Sequence, residues 1–432
     1  MKIPPVKGTR DFYPPVMAIR NFIVDGWKTV SVRNGFAEYD GPIFEYLKMF
    51  QIKSGDEIAE QLFSFRDRGD RDLAIRPEIT PTLARMVNQQ INTLPRPIKW
   101  FSVPRLCRAE RPQKGRLREF FQWNIDIIGA DSFIADAEVI FTSIDYLRSL
   151  GLGSDDIKAK ISSRKLLAAF LKNLGIGQKD FDIIYPVLDK KPRLGLEAFG
   201  EMLEKVVSDK DKAQKIKAFM ELDTVSGLSK ILDLIEKSDE AGEAEKELED
   251  LLALLEDMGV GDYCEFDPGI VRGLAYYTGI VFEIQDAAGQ FRAICGGGRY
   301  DNLLKDFGGP AVSGTGMGMG DCVLEILLRE KGLPTTKPNE GLDYFIACLD
   351  GDLLGDAVAI AANLRSKGLK ADFSYKSVAL GKQLKQASAK GAGKCIIVGA
   401  EYADNKELAI KDMTTGEQET VKAESFLAEL GF

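Results

Sequence analysis

RAERPQKGRLREFFQWNIDII, residues Arg108–Ile128, is the stretch that decides the fold. In its second half Gln122, Asn124 and Asp126 alternate with apolar residues, as they would on one face of a strand. The opposite face would carry Phe121, Trp123, Ile125 and Ile127. With the charged loop before it, this pattern predicts an antiparallel hairpin whose apolar face covers a core. The polar face is either solvated or a binding surface.

Residues beside the hairpin favour a binding surface. The preceding strand ends in Arg108 and Glu110, opposite a face whose polar residues can both donate and accept hydrogen bonds. The loop holds four cations, which together suit a polyphosphate: Arg111, Lys114, Arg116 and Arg118.

The pattern around the hairpin predicts two domains. LAIRPEITPTLARMV, residues 73–87, is typical of a strand, a proline turn and a helix, and residues from about 135 to 265 have helical periodicity. Strands and glycine turns return from about 265 to 330, and from Tyr344 strands alternate with helices. We predict a first domain over 1–335, with a mostly helical insertion at about 160–262, and a small α/β domain over 341–432.

Composition excludes several classes of protein. The 432 residues have a net charge of −9 and contain no histidine, so Ser-His-Asp and Cys-His catalysis are excluded. The six cysteines are scattered without a CxxC pair, which predicts free thiols in a reducing compartment and no zinc site. No apolar run is long enough to span a membrane and no secretory signal is seen, so we expect a cytoplasmic protein.

Three further motifs have two interpretations each. In RPEITPT, residues 76–82, Glu78 and Thr80 could bind an ammonium group, or a threonine could cap the helix. The glycines of AICGGGRYDNLL allow a close backbone approach or form a plain turn. In VRGLAYYTGIVFE, residues 271–283, Arg272 precedes a β-rich run and needs an anion from the protein or from a ligand.

The C-terminal region has a local excess of positive charge in an acidic protein. Eight cations and one acid, Asp372, fall within thirty residues: Arg365, Lys367, Lys370, Lys376, Lys382, Lys385, Lys390 and Lys394. This basic band is either a solvated face or a surface for nucleic-acid phosphates.

Taken in order, these motifs resemble the histidyl-tRNA synthetases, which are class II aminoacyl-tRNA synthetases, over nearly the whole chain. KGTRDFYPP resembles the opening of the family, GFAEYDGP its motif 1, and RAERPQKGRLREFFQ its motif 2. VRGLAYYTGIVFE is similar to the block that marks the histidine-specific members, and the tail is similar to their anticodon-binding domain. The implied fold is α+β: an antiparallel class II sheet flanked by helices, a helical insert, and a mixed α/β C-terminal domain.

The resemblance also implies roles for individual residues. Arg272 and Arg108 would be catalytic, acting on the α-phosphate of ATP and the carboxylate of histidine. The histidine site would comprise Glu78, Thr80, Arg108, Gln122, Asp126, Arg272, Tyr276 and Tyr277. The ATP site would comprise Arg108, Glu110, Arg116 and Phe120, and Gln113 would approach the tRNA acceptor end. Activation needs aligned anions and placed cations rather than a proton transfer, so a chain without histidine can perform it.

Some positions depart from the family pattern. Ala275 stands where many members have Asp, and Phe121 where many have His; we predict that Phe121 is in the core. Asp126 is one methylene shorter than the Glu of some members. GMGMGDCVL occupies motif 3 without the usual arginine, and Val323 falls roughly at its position. Either the motif 2 arginines compensate or ATP binds weakly, and we expect the first.

The expected protein is a histidine–tRNA ligase that uses ATP with Mg²⁺, binds tRNA(His), holds no protein-bound metal and forms a homodimer. The alternative is a histidine-binding paralogue that regulates ATP phosphoribosyltransferase and is not itself an enzyme. The basic C-terminal domain and the motif 2 residues argue against that alternative.

Overall fold

The computed structural model describes residues 3–52, 62–191, 194–225, 227, 238–271, 277–336 and 341–429. The chain folds into two compact units, the first ending at Thr335 and the second beginning at Thr336. Each unit has its own hydrophobic clusters, as expected for domains.

The strands, in chain order, are β1 Ala37–Glu38, β2 Phe44–Tyr46, β3 Ser64–Arg66, β4 Asp72–Ile75, β5 Ile98–Ser102, β6 Arg105–Cys107, β7 Glu119–Ile128, β8 Ile157–Ser163, β9 Cys264–Phe266, β10 Ile280–Asp286, β11 Cys295–Arg299, β12 Gly314–Gly320, β13 Tyr344–Cys348, β14 Ala371–Phe373, β15 Lys394–Val398, β16 Glu407–Asp412 and β17 Gln418–Lys422.

The helices, in chain order, are α1 Pro14–Arg33, α2 Thr80–Gln90, α3 Phe133–Ser149, α4 Arg164–Asn173, α5 Phe181–Leu188, α6 Leu196–Val206, α7 Lys210–Met220, α8 Asp239–Asp257, α9 Leu303–Asp306, α10 Asp321–Glu330, α11 Leu354–Ser366, α12 Leu380–Ala389, α13 Ala400–Asn405 and α14 Ala423–Glu429.

A nine-stranded sheet organises the first unit. Its order is β1-β5-β7-β12-β11-β10-β8-β9, and β6 pairs with β7 outside this path. The terminal pairs β1·β5 and β8·β9 are parallel, and all the pairs between them are antiparallel. The predicted α+β fold with an antiparallel sheet core is therefore confirmed.

The apolar face of β7 contributes to the largest hydrophobic cluster. Trp123 stacks on Trp27 of α1 with ring centroids 6.3 Å apart, and Tyr146 of α3 meets Trp123 edge-on at 5.5 Å. Phe121 is also buried here, which confirms its prediction as a core residue. Helices therefore cover this face of the sheet and leave the opposite face of β7 for a site.

The sequence interpretation was wrong about one segment. Residues 160–163, placed in the helical insertion, belong to β8, which pairs along its length with β10 in the central sheet. Buried Ile157, Ala159 and Ile161 alternate with lysines in this strand, and the lysines made the segment look helical. Of the two interpretations of AICGGGRYDNLL, the plain turn is wrong because Gly296–Gly298 lie within strand β11. The close backbone approach is confirmed, since a Cβ at Gly297 would lie 2.2 Å from the Gly316 carbonyl oxygen.

Helices dominate the chain after β8. Helices α4 to α8 lie between β8 and β9, and Phe170 of α4 stacks on Phe219 of α7 with centroids 4.3 Å apart. The exact limits of the insertion remain a prediction.

The second unit is a five-stranded mixed sheet in the order β14-β13-β15-β16-β17. Strands β13, β14 and β15 are parallel, and β16 and β17 extend the sheet antiparallel. Helices α11 and α12 follow β13 and β14, so the predicted alternation of strands and helices from Tyr344 is confirmed.

Candidate active site

The polar face of β7 is buried. Asn124 and Asp126 are 5% and 3% exposed, and Gln122 is half-buried at the edge of a pocket. The predicted alternation along this strand is confirmed, and a solvated polar face is ruled out. Buried polar groups need partners, so this face is built either for internal hydrogen bonds or for a ligand.

Asp126 lies in an enclosed polar environment. The Tyr300 hydroxyl donates a hydrogen bond to Oδ1, whereas Oδ2 is buried without a hydrogen-bond partner among the described residues. Burial raises the pKa of Asp126 to about 7, and the Tyr300 hydrogen bond opposes the rise. Burial, followed by the charge of Asp126, raises the pKa of Tyr39, whose hydroxyl is also without a partner in the described chain. An orphaned carboxylate oxygen suits a ligand that donates an N–H.

Glycines on β12 make room beside these polar side chains. Gly316 pairs with Asp126 and Gly318 with Asn124, while Met317 and Met319 occupy the opposite face and are buried in the core. A Cβ at Gly316 would lie 2.2 Å from Asp126 Oδ1, and one at Gly318 would lie 2.8 Å from Gln122 Nε2. At both positions any side chain would therefore collide with a polar group, and Gly318 leaves backbone in the lining of the pocket.

Glu78 lies just before α2 and within the electrostatic influence of Arg108, which follows β6. Burial raises the pKa of Glu78, and the charge of Arg108 opposes the rise. The Arg108 Nε donates to the Pro77 carbonyl at 3.1 Å.

The threonines of RPEITPT do not cap α2. Thr80 is the first residue of α2 and provides no side-chain cap, and Thr82 donates at 3.3 Å to Glu45. The capping interpretation of RPEITPT is therefore wrong.

The hairpin before β7 brings the predicted ATP residues together. The Arg108 guanidinium lies 5.2 Å from the centroid of the Phe120 ring, and both residues line the pocket. Arg116, also in the lining, forms an ion pair with Glu110. The backbones of Gln113 and Arg116 are joined by two hydrogen bonds of 2.9 and 3.0 Å.

Only part of the predicted cationic cluster faces the pocket. The Arg118 Nε donates to the Glu110 carbonyl at 3.0 Å, and Lys114 pairs with Glu330 at 3.2 Å. Arg116 is the member of the cluster that lines the pocket. Compensation for a missing motif 3 arginine by several motif 2 cations therefore has less support than the sequence suggested.

Uncharged residues occupy the motif 3 position. Cys322 and Val323, near the start of α10, are buried and line the pocket. A Cβ at Gly115 would lie 3.0 Å from Val323 Cγ2, so the helix packs closely against the hairpin loop.

Residues Arg272 and Tyr276, predicted to contact the substrate, lie outside the described residues, as does Ala275. Tyr277 is buried, and a Cβ at Gly298 would lie 3.0 Å from its ring. Tyr277 shares a hydrophobic cluster with Tyr300, which is hydrogen bonded to Asp126, and with Tyr39, whose pKa the charge of Asp126 raises.

Sequence reasoning missed Tyr300 and Tyr39. Tyr300 follows the glycines of AICGGGRYDNLL, and Tyr39 lies in GFAEYDGP, so both belong to motifs that are recognisable in the sequence. Neither motif is near β7 in sequence. Only the sheet order shows that a single strand, β12, separates β11 from β7.

Two family models match the chain. The model described as histidyl-tRNA synthetase matches residues 8–320, and the one described as anticodon binding domain matches residues 343–431. No helix in the described part of the chain is long and apolar enough to cross a membrane.

Curated relatives match over almost the whole chain. A protein of Arabidopsis thaliana named histidine–tRNA ligase, chloroplastic/mitochondrial, is 38% identical and covers 97% of this chain and 85% of its own. A histidine–tRNA ligase of Opitutus terrae is 39% identical and covers 98% and 96%.

Among solved structures, the histidyl-tRNA synthetase of Nostoc sp. PCC 7120 has a TM-score of 0.85 at 24% identity, covering 100% of this chain and 99% of that one. A Bacillus halodurans structure titled ATP phosphoribosyltransferase regulatory subunit/histidyl-tRNA synthetase has a TM-score of 0.75 at 22% identity, covering 90% of this chain and 98% of that one. At these identities the likeness concerns the fold.

Proposed function

The chain belongs to the histidyl-tRNA synthetase family and is a histidine–tRNA ligase, and we propose that Asp126 selects the amino acid. The observation that supports this is the buried Oδ2 of Asp126, which has no hydrogen-bond partner among the described residues and lies beside two tyrosines. An imidazole N–H can donate to this oxygen. A side chain without such a donor would leave the carboxylate buried and unpaired, which can discriminate by about 10⁴-fold. Tyr276 and Tyr277 would complete the contacts to the ring.

The remaining groups of histidine would be held nearby. Glu78 and Thr80 would bind the ammonium group, since burial leaves the Glu78 carboxyl in need of a cation. Gln122 would hydrogen bond to the bound amino acid from the half-buried end of the polar face. Arg272 and Arg108 would contact the histidine carboxylate and the α-phosphate.

In the first step the histidine carboxylate oxygen attacks the α-phosphorus of ATP, and pyrophosphate leaves. Arg108, which lines the pocket, would stabilise charge on the α-phosphate without transferring a proton. Phe120 would stack on adenine, Glu110 would contact it, and Arg116 would bind phosphate. In the second step a ribose hydroxyl at the tRNA end attacks the histidyl carbonyl, and AMP leaves; Gln113 would guide that end.

Magnesium would arrive with ATP and supply positive charge to the phosphate oxygens. Among the described residues no group of three or more acidic or thiol side chains could hold a metal. Glu283 on β10 supplies a carboxylate to the pocket lining, which suits an ion held mainly by substrate phosphates and water.

A homodimer would bury exposed apolar side chains on the three-stranded sheet β2-β4-β3. Phe44 and Phe65 are 49% and 43% exposed and meet edge-on with centroids 6.1 Å apart, and Tyr46 is exposed beside them. An exposed apolar patch of this kind is typical of an interaction surface. Phe44→Glu should convert a dimer to a monomer in analytical ultracentrifugation. An unchanged sedimentation coefficient would contradict this surface as the interface.

The second unit would bind the tRNA(His) anticodon. Tyr375 is exposed, lies against Phe373 at 4.9 Å, and is followed by Lys376 in the basic band. An exposed aromatic ring beside cations suits stacking on an unpaired base. The proposed organisation keeps a catalytic domain over 1–335 and this domain over 341–432, in a cytoplasmic protein.

Aminoacylation of a tRNA(His) transcript with histidine tests the proposal. The enzyme should charge the transcript, and Asp126→Ala should abolish charging. The regulatory alternative has less support because the anticodon-binding model matches the second unit. Histidine binding without charging by the wild type would favour that alternative.

A further inference from the structure

The pocket has a cation that the family motifs do not account for. Cys322 and Val323 at the motif 3 position carry no positive charge, yet Arg292 lines the same pocket. Arg292 lies in the segment between β10 and β11, which is distant in sequence from the β7 hairpin. It therefore reaches the pocket from a different element than Arg108 and Arg116 do.

Two contacts connect this segment to the motif 2 hairpin. The Arg292 Nη2 donates to Gln113 Oε1 at 2.9 Å. The Lys114 ammonium lies 5.2 Å from the centroid of the neighbouring Phe291 ring. These contacts hold the guanidinium at the mouth of the hairpin, where Arg116 also lines the pocket.

The charge of Arg292 is less compensated than that of its neighbours. Arg116 pairs with Glu110 and Lys114 pairs with Glu330, whereas the partner of Arg292 is a neutral amide. No carboxylate in the described chain forms an ion pair with Arg292. The positive charge of a guanidinium held by a neutral amide is not compensated by a protein carboxylate, so it can attract an incoming polyanion. Its planar donors also match phosphate oxygens.

We propose that Arg292 binds the β- and γ-phosphates of ATP and supplies the charge that motif 3 lacks. This inference rests on the proposed function. Gln113 is a positioning residue in this arrangement, since its amide orients the guanidinium. The segment and the hairpin together would clamp the outer phosphates while Phe120 and Arg108 hold the rest of the nucleotide.

Kinetics of Arg292→Ala in ATP–pyrophosphate exchange test the assignment. KM for ATP and KM for pyrophosphate should each rise about 10- to 100-fold, as expected for loss of a charge-assisted contact. KM for histidine and the Kd of a non-hydrolysable histidyl-adenylate analogue, which lacks both outer phosphates, should change less than twofold. Arg292→Lys should restore part of the loss, and Arg148→Ala, an exposed arginine on α3, should match the wild type.

The outcomes separate the alternatives. Unchanged KM values for ATP and pyrophosphate would overturn the proposal. An equal loss of adenylate-analogue affinity would place Arg292 at adenine or the α-phosphate instead. If Gln113→Ala reproduces the whole effect and Arg292→Lys restores nothing, then Arg292 only supports the hairpin and does not bind phosphate. Failure of wild-type exchange would contradict the proposed function itself; direct titration of ATP into wild type and Arg292→Ala would then still test the phosphate contact.

Discussion

Asp126→Asn separates the two effects of the buried carboxyl, on stability and on recognition. The ordinary pKa is 3.8 and burial raises it to about 7. Between these values the folded chain keeps a proton that the unfolded chain releases, so the free energy of unfolding falls as pH rises. The loss is complete above the folded pKa, and 1.36 kcal/mol for each pKa unit gives at most about 4 kcal/mol.

The asparagine variant avoids this loss because it cannot ionise. Urea unfolding without ligands at pH 5 and pH 8.5 should show the variant gaining stability over wild type as pH rises. Asp131→Asn, at an exposed carboxyl before α3, should show no such change. At the same time kcat/KM for histidine should fall about 100-fold and KM for ATP should not change. A stability difference independent of pH would refute the reasoning about burial.

Three further substitutions test individual contacts. Tyr300→Phe removes the hydroxyl that donates to Asp126 and should raise KM for histidine about 10-fold in exchange assays, leaving KM for ATP unchanged. Gly318→Ala places a methyl group 2.8 Å from the Gln122 amide nitrogen and should raise KM for histidine without changing the fold by circular dichroism. Arg299→Met leaves its buried aspartate partner unpaired and should destabilise the protein by about 3–5 kcal/mol in urea unfolding. An unchanged KM for histidine would contradict either of the first two contacts, and an unchanged free energy of unfolding would contradict the third.

The strand β7 could be predicted because its pattern is local. A strict alternation over the seven residues Phe121–Ile127 determines which side chains share a face, and one of the two faces was fully apolar. The same reasoning failed at β8, where the lysines between the buried residues resembled the polar face of a helix. That segment is a strand because it pairs with β10 and β9, two strands that are distant from it in sequence.

The candidate site could be predicted only in part, for a similar reason. Gln122 and Asp126 follow from one strand, whereas Tyr39 and Tyr300 reach the same carboxyl from elements far away in the sequence. The glycines of β12 were visible in the sequence, but their purpose depends on the register that places them beside polar side chains. Sheet order and register are long-range properties that local patterns do not contain.

The most direct test of the account is ATP–pyrophosphate exchange by the purified wild-type protein with each of the twenty amino acids. Exchange should occur with histidine alone, because the imidazole N–H can donate to the buried Asp126 Oδ2 that the proposal makes the selecting group. Exchange with another amino acid at a comparable rate, or with none, would contradict the claim that this buried carboxyl selects histidine for activation.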